Sequence, residues 1–163
     1  MNWILQLAIS ILACFAAGGI GSAFTFKAIP TWYRGLKKPR YTPPNRAFGP
    51  VWTTLYILMG VSVFLVWNAG LAAEGAALSF TLFWIQLALN ALWSIIFFGM
   101  RFKGGGAIVI AMLWLLILAT MVTSFRVSGW AGGLLIPYLI WVSIATYLNL
   151  GVWLLNRKPD KAL

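Results

Sequence analysis

The chain has 163 residues, 62% of them hydrophobic and 16% aromatic, with ten tryptophans, and it carries twelve basic residues against two acidic ones. Charged residues make up 9% of it, against about 25% in a soluble domain, which excludes an ordinary water-soluble globule. The net charge of +10 does not point to nucleic acid, because the basic residues stand in short links between apolar runs and there suit anionic lipid headgroups.

A helix needs about 20 apolar residues to cross the hydrocarbon core of a bilayer. Five segments meet this: residues 3–26, 48–67, 78–100, 107–125 and 131–155, none with Asp, Glu, Lys or Arg in its interior. The first lacks a basic start and is too long for the apolar core of a signal peptide, so it is expected to stay as a helix. The expected fold is an all-α membrane protein, one five-helix transmembrane domain over 1–163 with a structured loop at 27–47. The glycine triplet at 104–106 reads as a tight turn before the fourth span.

The links set the direction. Lys27, Arg34, Lys37, Lys38, Arg40 and Arg46 follow the first span, Arg101 and Lys103 the third, and Arg157, Lys158 and Lys161 the fifth, whereas Arg126 alone falls on the opposite side. Basic links stay cytoplasmic, so the N-terminus is expected outside and the C-terminus in the cytoplasm. Helical spans favour a bacterial cell (inner) membrane.

The first link carries more than charge. Pro39, Pro43 and Pro44 cannot continue a helix interior, and Trp32, Tyr33 and Tyr41 suit the headgroup level. The segment reads either as an interfacial anchor with a stiff turn or as a lid over the mouth of the bundle, with Trp32, Lys38, Pro39, Pro43 and Pro44 as its parts. Near span ends, Trp3, Trp67, Trp130 and Trp153 read as interface anchors. Deeper in, Gln86, Asn90 and Ser94 share one stripe of the third span. They either bond to other helices or, at Asn90, face a cavity with Trp52 and Trp141. Ala13, Ala17 and Gly21, and Gly18 with Ser22, form a small-residue face on the first span that packs either inside one bundle or against a second copy.

At the first link the chain resembles the tryptophan-rich sensory protein or translocator protein family, also called peripheral-type benzodiazepine receptors. Their pattern W-Y-x-x-L-x-K-P-x-W-x-P-P, then F and V-W, stands here as Trp32, Tyr33, Leu36, Lys38, Pro39, Pro43, Pro44, Phe48, Val51 and Trp52, with Tyr41 in place of the second Trp. QLALNALWSIIFFGMR at 86–101 and LIPYLIWVSIATYLN at 135–149 match as well. The resemblance implies a five-helix bundle, often a homodimer, that binds porphyrins and related tetrapyrroles, sterols in some members, and benzodiazepine-type ligands. It implies a pocket at Tyr33, Trp52, Asn90, Trp93, Trp141 and Ala145, with the loop closing over it and its cations meeting porphyrin propionates. The Tyr and Arg of the sterol motif found in some members fall here on Leu150 and Leu154, which speaks against sterol binding through it.

Three functions compete: a tetrapyrrole-binding sensor or carrier, a light-dependent porphyrin-degrading enzyme, and an exporter of small amphipathic compounds. Proton-coupled export needs an intramembrane carboxylate or histidine, and the sequence holds no histidine and no acid within a span. Acid–base catalysis has no residue set, so an enzyme would rely on oxidative chemistry at Trp52 or Trp141. No cofactor or metal site is expected beyond porphyrin as ligand. Iron ligation would fall to Met, Tyr or Cys14, which favours metal-free porphyrin.

Overall fold

The computed structural model describes residues 2–157. Lys158, Asp160 and Lys161 lie outside the described residues. The helices are α1, Trp3–Ala28; α2, Asn45–Asn68; α3, Ala76–Ser94, which runs into a π turn at Ile95–Gly99; α4, Lys103–Val127; a short α5, Gly129–Gly133; and α6, Ile136–Leu155. Five stretches are long and apolar enough to cross a bilayer: Trp3–Ala28, Asn45–Asn68, Ala76–Gly99, Lys103–Val127 and Gly129–Leu155.

Every expected span is present, and the bounds differ for local reasons. α2 starts at Asn45, directly after Pro44, whose extended backbone leads into it. The glycines at 104–106 are not a tight turn but the first turn of α4. Without side chains they let the rings of Trp153, Phe102 and Phe97 lie against the helix. The fifth span is interrupted. The chain turns at Leu134 and Leu135, and α6 resumes with Pro137 in its first turn, where a missing N–H costs no hydrogen bond.

α1 lies between α2 and α3, α4 packs on α3, α5 and α6, and α2 closes the ring against α5 and α6. Where α1 crosses α2 the backbones nearly touch: a Cβ on Gly60 would stand 2.8 Å from the Ile11 Cα. A Cβ on Gly18 would run into the Tyr56 ring, and one on Gly21 would stand 2.9 Å from Ser94 Oγ. Gly18 and Gly21 of the small-residue face are therefore used within the bundle. The outer faces carry exposed apolar side chains such as Leu12, Phe26, Leu115 and Ile140, the surface that a hydrocarbon solvent calls for. At the span ends Trp3 and Trp130 are exposed, as interface anchors are.

Lys37 meets Asn156, and Gly104 lies against Trp153. The first link, the third link and the end of α6 thus share one end of the bundle, as the charge pattern requires. In the third link Arg101 is the single non-glycine residue with a positive φ, 57°, among the described residues. An L-residue in this left-handed region is strained by about 1–2 kcal/mol. Arg101→Gly is expected to raise stability by about 1 kcal/mol, read as a higher melting temperature in detergent.

Candidate ligand-binding site

The roof of the bundle is built first. After α1 the chain makes one 3₁₀ turn, Tyr33–Gly35, then runs without a helix to Pro44, bending at Arg40 and Tyr41. Tyr33 is buried, its ring 5.8 Å from Phe98 and 6.4 Å from Phe97. Burial pushes its phenol above the ordinary range, so it stays neutral until strongly alkaline pH. The stability this gives the roof is complete below pH of about 10 and is lost only as pH rises through the raised value. The Lys38 ammonium stands 4.7 Å over the Tyr33 ring and donates to the carbonyls of Arg34 and Leu36 at 3.3 and 3.2 Å. Its charge is thus held inside the loop. Trp32 meets Phe97 edge-on at 5.5 Å.

The far side of the roof is fastened to α6. The Asn156 side chain accepts from the Lys37 N–H at 3.0 Å and donates to the Lys37 carbonyl at 2.8 Å. Pro39 rests on Gly151, where a Cβ would stand 2.7 Å from Pro39 Cγ. Thr42 braces the bend by donating to the Pro39 carbonyl at 2.7 Å. Two hydrogen bonds are worth about 1–3 kcal/mol net. Asn156→Ala is therefore expected to undock the loop and to speed tryptic cleavage at Arg34, Lys37 and Arg40 by roughly tenfold, with little change in helix content by circular dichroism.

Beside the roofed region, between α1, α2 and the end of α3, lies a cleft of about 280 Å³. Its lining is aromatic at Phe15, Trp52, Tyr56, Trp93 and Phe98 and small at Gly18, Gly19, Ser22, Gly49 and Thr53. Trp52 is the centre of the wall. It stacks on Tyr56 at 5.5 Å and 26°, lies 6.2 Å from Trp93, and meets Tyr138 edge-on at 6.2 Å.

Behind the aromatic wall a polar chain holds the helices in register. Tyr56 donates to Asn90 Oδ1 at 3.1 Å, Asn90 Nδ2 donates to Tyr138 at 2.8 Å, and Tyr138 donates to Gln86 Oε1 at 3.0 Å. The Trp93 indole donates to Asn149 at 3.1 Å. Apolar surroundings make such bonds expensive to break, because the released groups find no water.

The six expected pocket residues divide. Trp52 and Trp93 face the cleft. Asn90 faces inward and is fully engaged by Tyr56 and Tyr138. Tyr33 and Ala145 border a second space of only about 10 Å³, also touched by Phe48, Trp93 and Phe98, so the volume directly under the roof is filled by the protein's own rings. Trp141 packs edge-on against Phe48 at 5.5 Å, and its buried Nε1 has no partner among the described residues. Phe48 borders both spaces and separates the cleft from Trp141. Tyr56 and Asn156 were not singled out by their sequence positions, and Phe48 only as part of the first-link motif. Phe48, Trp52 and Tyr56 recur every four residues, a helical stripe that marks them as neighbours.

The cleft offers no free strong iron ligand. The chain has no histidine, Cys14 is buried elsewhere, and the one phenol on the cleft wall, Tyr56, is committed to Asn90; the Tyr33 phenol borders only the second space of about 10 Å³. Among the described residues no group of three or more His, Cys, Asp or Glu gathers to hold a metal.

These features define an integral membrane protein of five spans with a tryptophan-walled cleft and a proline-rich roof at one end. The model of the TspO/MBR family matches residues 10–154, and the chain belongs to that family. It is 42% identical to the tryptophan-rich protein TspO of Archaeoglobus fulgidus over 153 residues, 94% of this chain and 98% of that one. It is 39% identical to the tryptophan-rich sensory protein of Cereibacter sphaeroides over 161 residues, 98% of this chain and 97% of that one. To the human translocator protein it is 41% identical over 143 residues, covering 87% of this chain and 82% of that one.

Proposed function

We propose that this protein binds a flat amphipathic tetrapyrrole, a metal-free porphyrin, and serves as a membrane sensor or carrier for it. The observation that carries the reading is the aromatic wall: Trp52 stacked on Tyr56 with Trp93 beside it offers π-faces to a planar ring, each such pair worth about 0.5–1.5 kcal/mol beyond burial. The relatives named as sensory and translocator proteins fit the same role. The cleft alone is small for a macrocycle, since ligand pockets run to roughly 300–1,000 Å³. Turning Phe48 aside joins it to the second space and opens a path to the unpartnered Trp141 N–H, a donor for a ligand oxygen or nitrogen. The bundle takes the orientation that leaves the roofed, basic end in the cytoplasm of a bacterial cell (inner) membrane, where Arg34, Arg40 and Arg46 are available to ligand carboxylates.

The test is a titration of the detergent-solubilised protein with metal-free protoporphyrin and with its iron form, in darkness and under illumination. Saturable binding of the metal-free form, no weaker than the iron form and without a ligated spectrum, is expected. Tighter binding of the iron form with a ligated spectrum overturns the metal-free preference, and absence of saturable binding overturns the tetrapyrrole reading. Protein-dependent loss of porphyrin absorbance in light that disappears in Trp141→Phe assigns the degrading function instead.

A further inference from the structure

The outer side of the cleft is not closed by protein. Gly19 and Gly49 on its rim are exposed, and a Cβ on either would meet nothing within 4 Å. Thr53 and Phe26, also on the rim, are exposed too. Because α1 and α2 are membrane spans, the space facing this opening belongs to lipid chains, not to water.

At the loop end the lining changes character. Asn45 borders the cleft, and the exposed Arg46 follows it in sequence; Phe26 borders it too, followed by the exposed Lys27. Neither cation has an acidic partner among the described residues. Glu74, the one acid among the described residues, follows the opposite end of α2. An apolar slot open sideways to the bilayer, with exposed cations and an amide at its headgroup end, is complementary to one kind of molecule. That molecule has a hydrocarbon tail and an anionic phosphate head, and the phosphate oxygens accept from ammonium, guanidinium and amide donors.

We propose that the cleft holds one acyl chain of an anionic phospholipid from the surrounding leaflet, its phosphate held by Lys27, Asn45 and Arg46. The lipid then occupies the surface of Trp52 and must withdraw before a planar ligand can stack there. That competition rests on the tetrapyrrole reading above; the lipid site itself does not.

The full chain is reconstituted in phosphatidylcholine vesicles doped with a probe lipid carrying a diazirine on its acyl chain, either phosphatidylglycerol or phosphatidylcholine, and adducts are mapped by mass spectrometry. The phosphatidylglycerol probe is expected to label residues 15–26 and 45–56 at least fivefold above the other spans, and the phosphatidylcholine probe to label them several-fold less. Gly19→Leu/Gly49→Leu, whose added Cβ atoms meet nothing within 4 Å and whose side chains narrow the opening, is expected to remove this labelling. Lys27→Gln/Arg46→Gln is expected to bring the two probes level. Adducts spread evenly over all five spans, adducts that survive the double leucine variant, or equal labelling by both probes in the unaltered chain each overturn the site. Metal-free protoporphyrin at saturation is expected to reduce the adducts, and porphyrin that binds without reducing them overturns the competition. Absence of porphyrin binding leaves the adduct map standing and counts against the tetrapyrrole reading alone.

Discussion

Gly60→Leu is expected to destabilise the bundle by about 3 kcal/mol or more, the largest effect of any single substitution considered. The reason lies in what the new side chain meets. A Cβ at Gly60 would stand 2.8 Å from the Ile11 Cα and 3.1 Å from its backbone nitrogen. A flexible side chain can rotate away, but a helix backbone cannot, so α1 and α2 would have to separate. Overpacking a well-fitted interior costs about 1–3 kcal/mol when neighbours can shift, and here the neighbour is the helix itself. Separating α1 from α2 also pulls Gly18 off Tyr56 and opens the cleft. The matched control is Gly49→Leu in the same helix, where the added carbon meets nothing and leucine favours the helix over glycine by roughly 1 kcal/mol. Thermal melts in one detergent should place Gly60→Leu far below the parent and Gly49→Leu at or above it. Equal melting temperatures for the two variants would remove the close crossing from the account of the fold.

Trp52→Ala is expected to weaken porphyrin binding by about 30-fold, roughly 2 kcal/mol, the scale at which a central aromatic anchor acts. Trp52 is the single ring on the cleft wall in contact with Tyr56, Trp93 and Tyr138 together, so its loss removes the stacking face and loosens the rings that position it. Trp52→Phe keeps a face and should lose only about 0.5–1.5 kcal/mol. Fluorescence quenching titrations of the two variants, with circular dichroism to establish folding, separate the lost stacking from a collapsed bundle. A Trp52→Ala protein that melts normally and binds as tightly as the parent would move the ligand away from this wall.

The spans were legible because lipid imposes one demand that sequence displays directly: about 20 apolar residues, closed on their own hydrogen bonds. Pro44 and the charged links then set most of the limits. Legibility failed where neighbours decide. A glycine triplet favours a turn by its own conformational freedom, yet at 104–106 it is helical because Trp153, Phe102 and Phe97 need its bare surface. The break at Leu134 and Leu135 was hidden in a uniformly apolar run. For the site, the stripe Gln86, Asn90 and Ser94 correctly marked an interior face of α3, and all three are buried. The two readings of Asn90 were separable only once Tyr56 and Tyr138 were seen on either side of it. The position of the cleft was not legible at all. Whether the space lies under Tyr33 or beside Gly19 depends on how Phe48, Phe97 and Phe98 fill the middle of the bundle, and no local pattern carries that information. Asn156 gave no signal either, since the residue it clasps is 119 positions away.

That clasp joins the first connector to the last turn of the chain through a short lever. Tension applied beyond Arg157, by a tag, a fused domain or a docked factor, reaches Asn156 first and is relayed straight to Lys37. Two hydrogen bonds rupture far more readily than a five-turn helix unwinds, so a modest tug would free the canopy at Lys37 while leaving the transmembrane staves in place. The carboxyl end is thereby mechanically coupled to the proline-rich connector, 119 positions away along the chain.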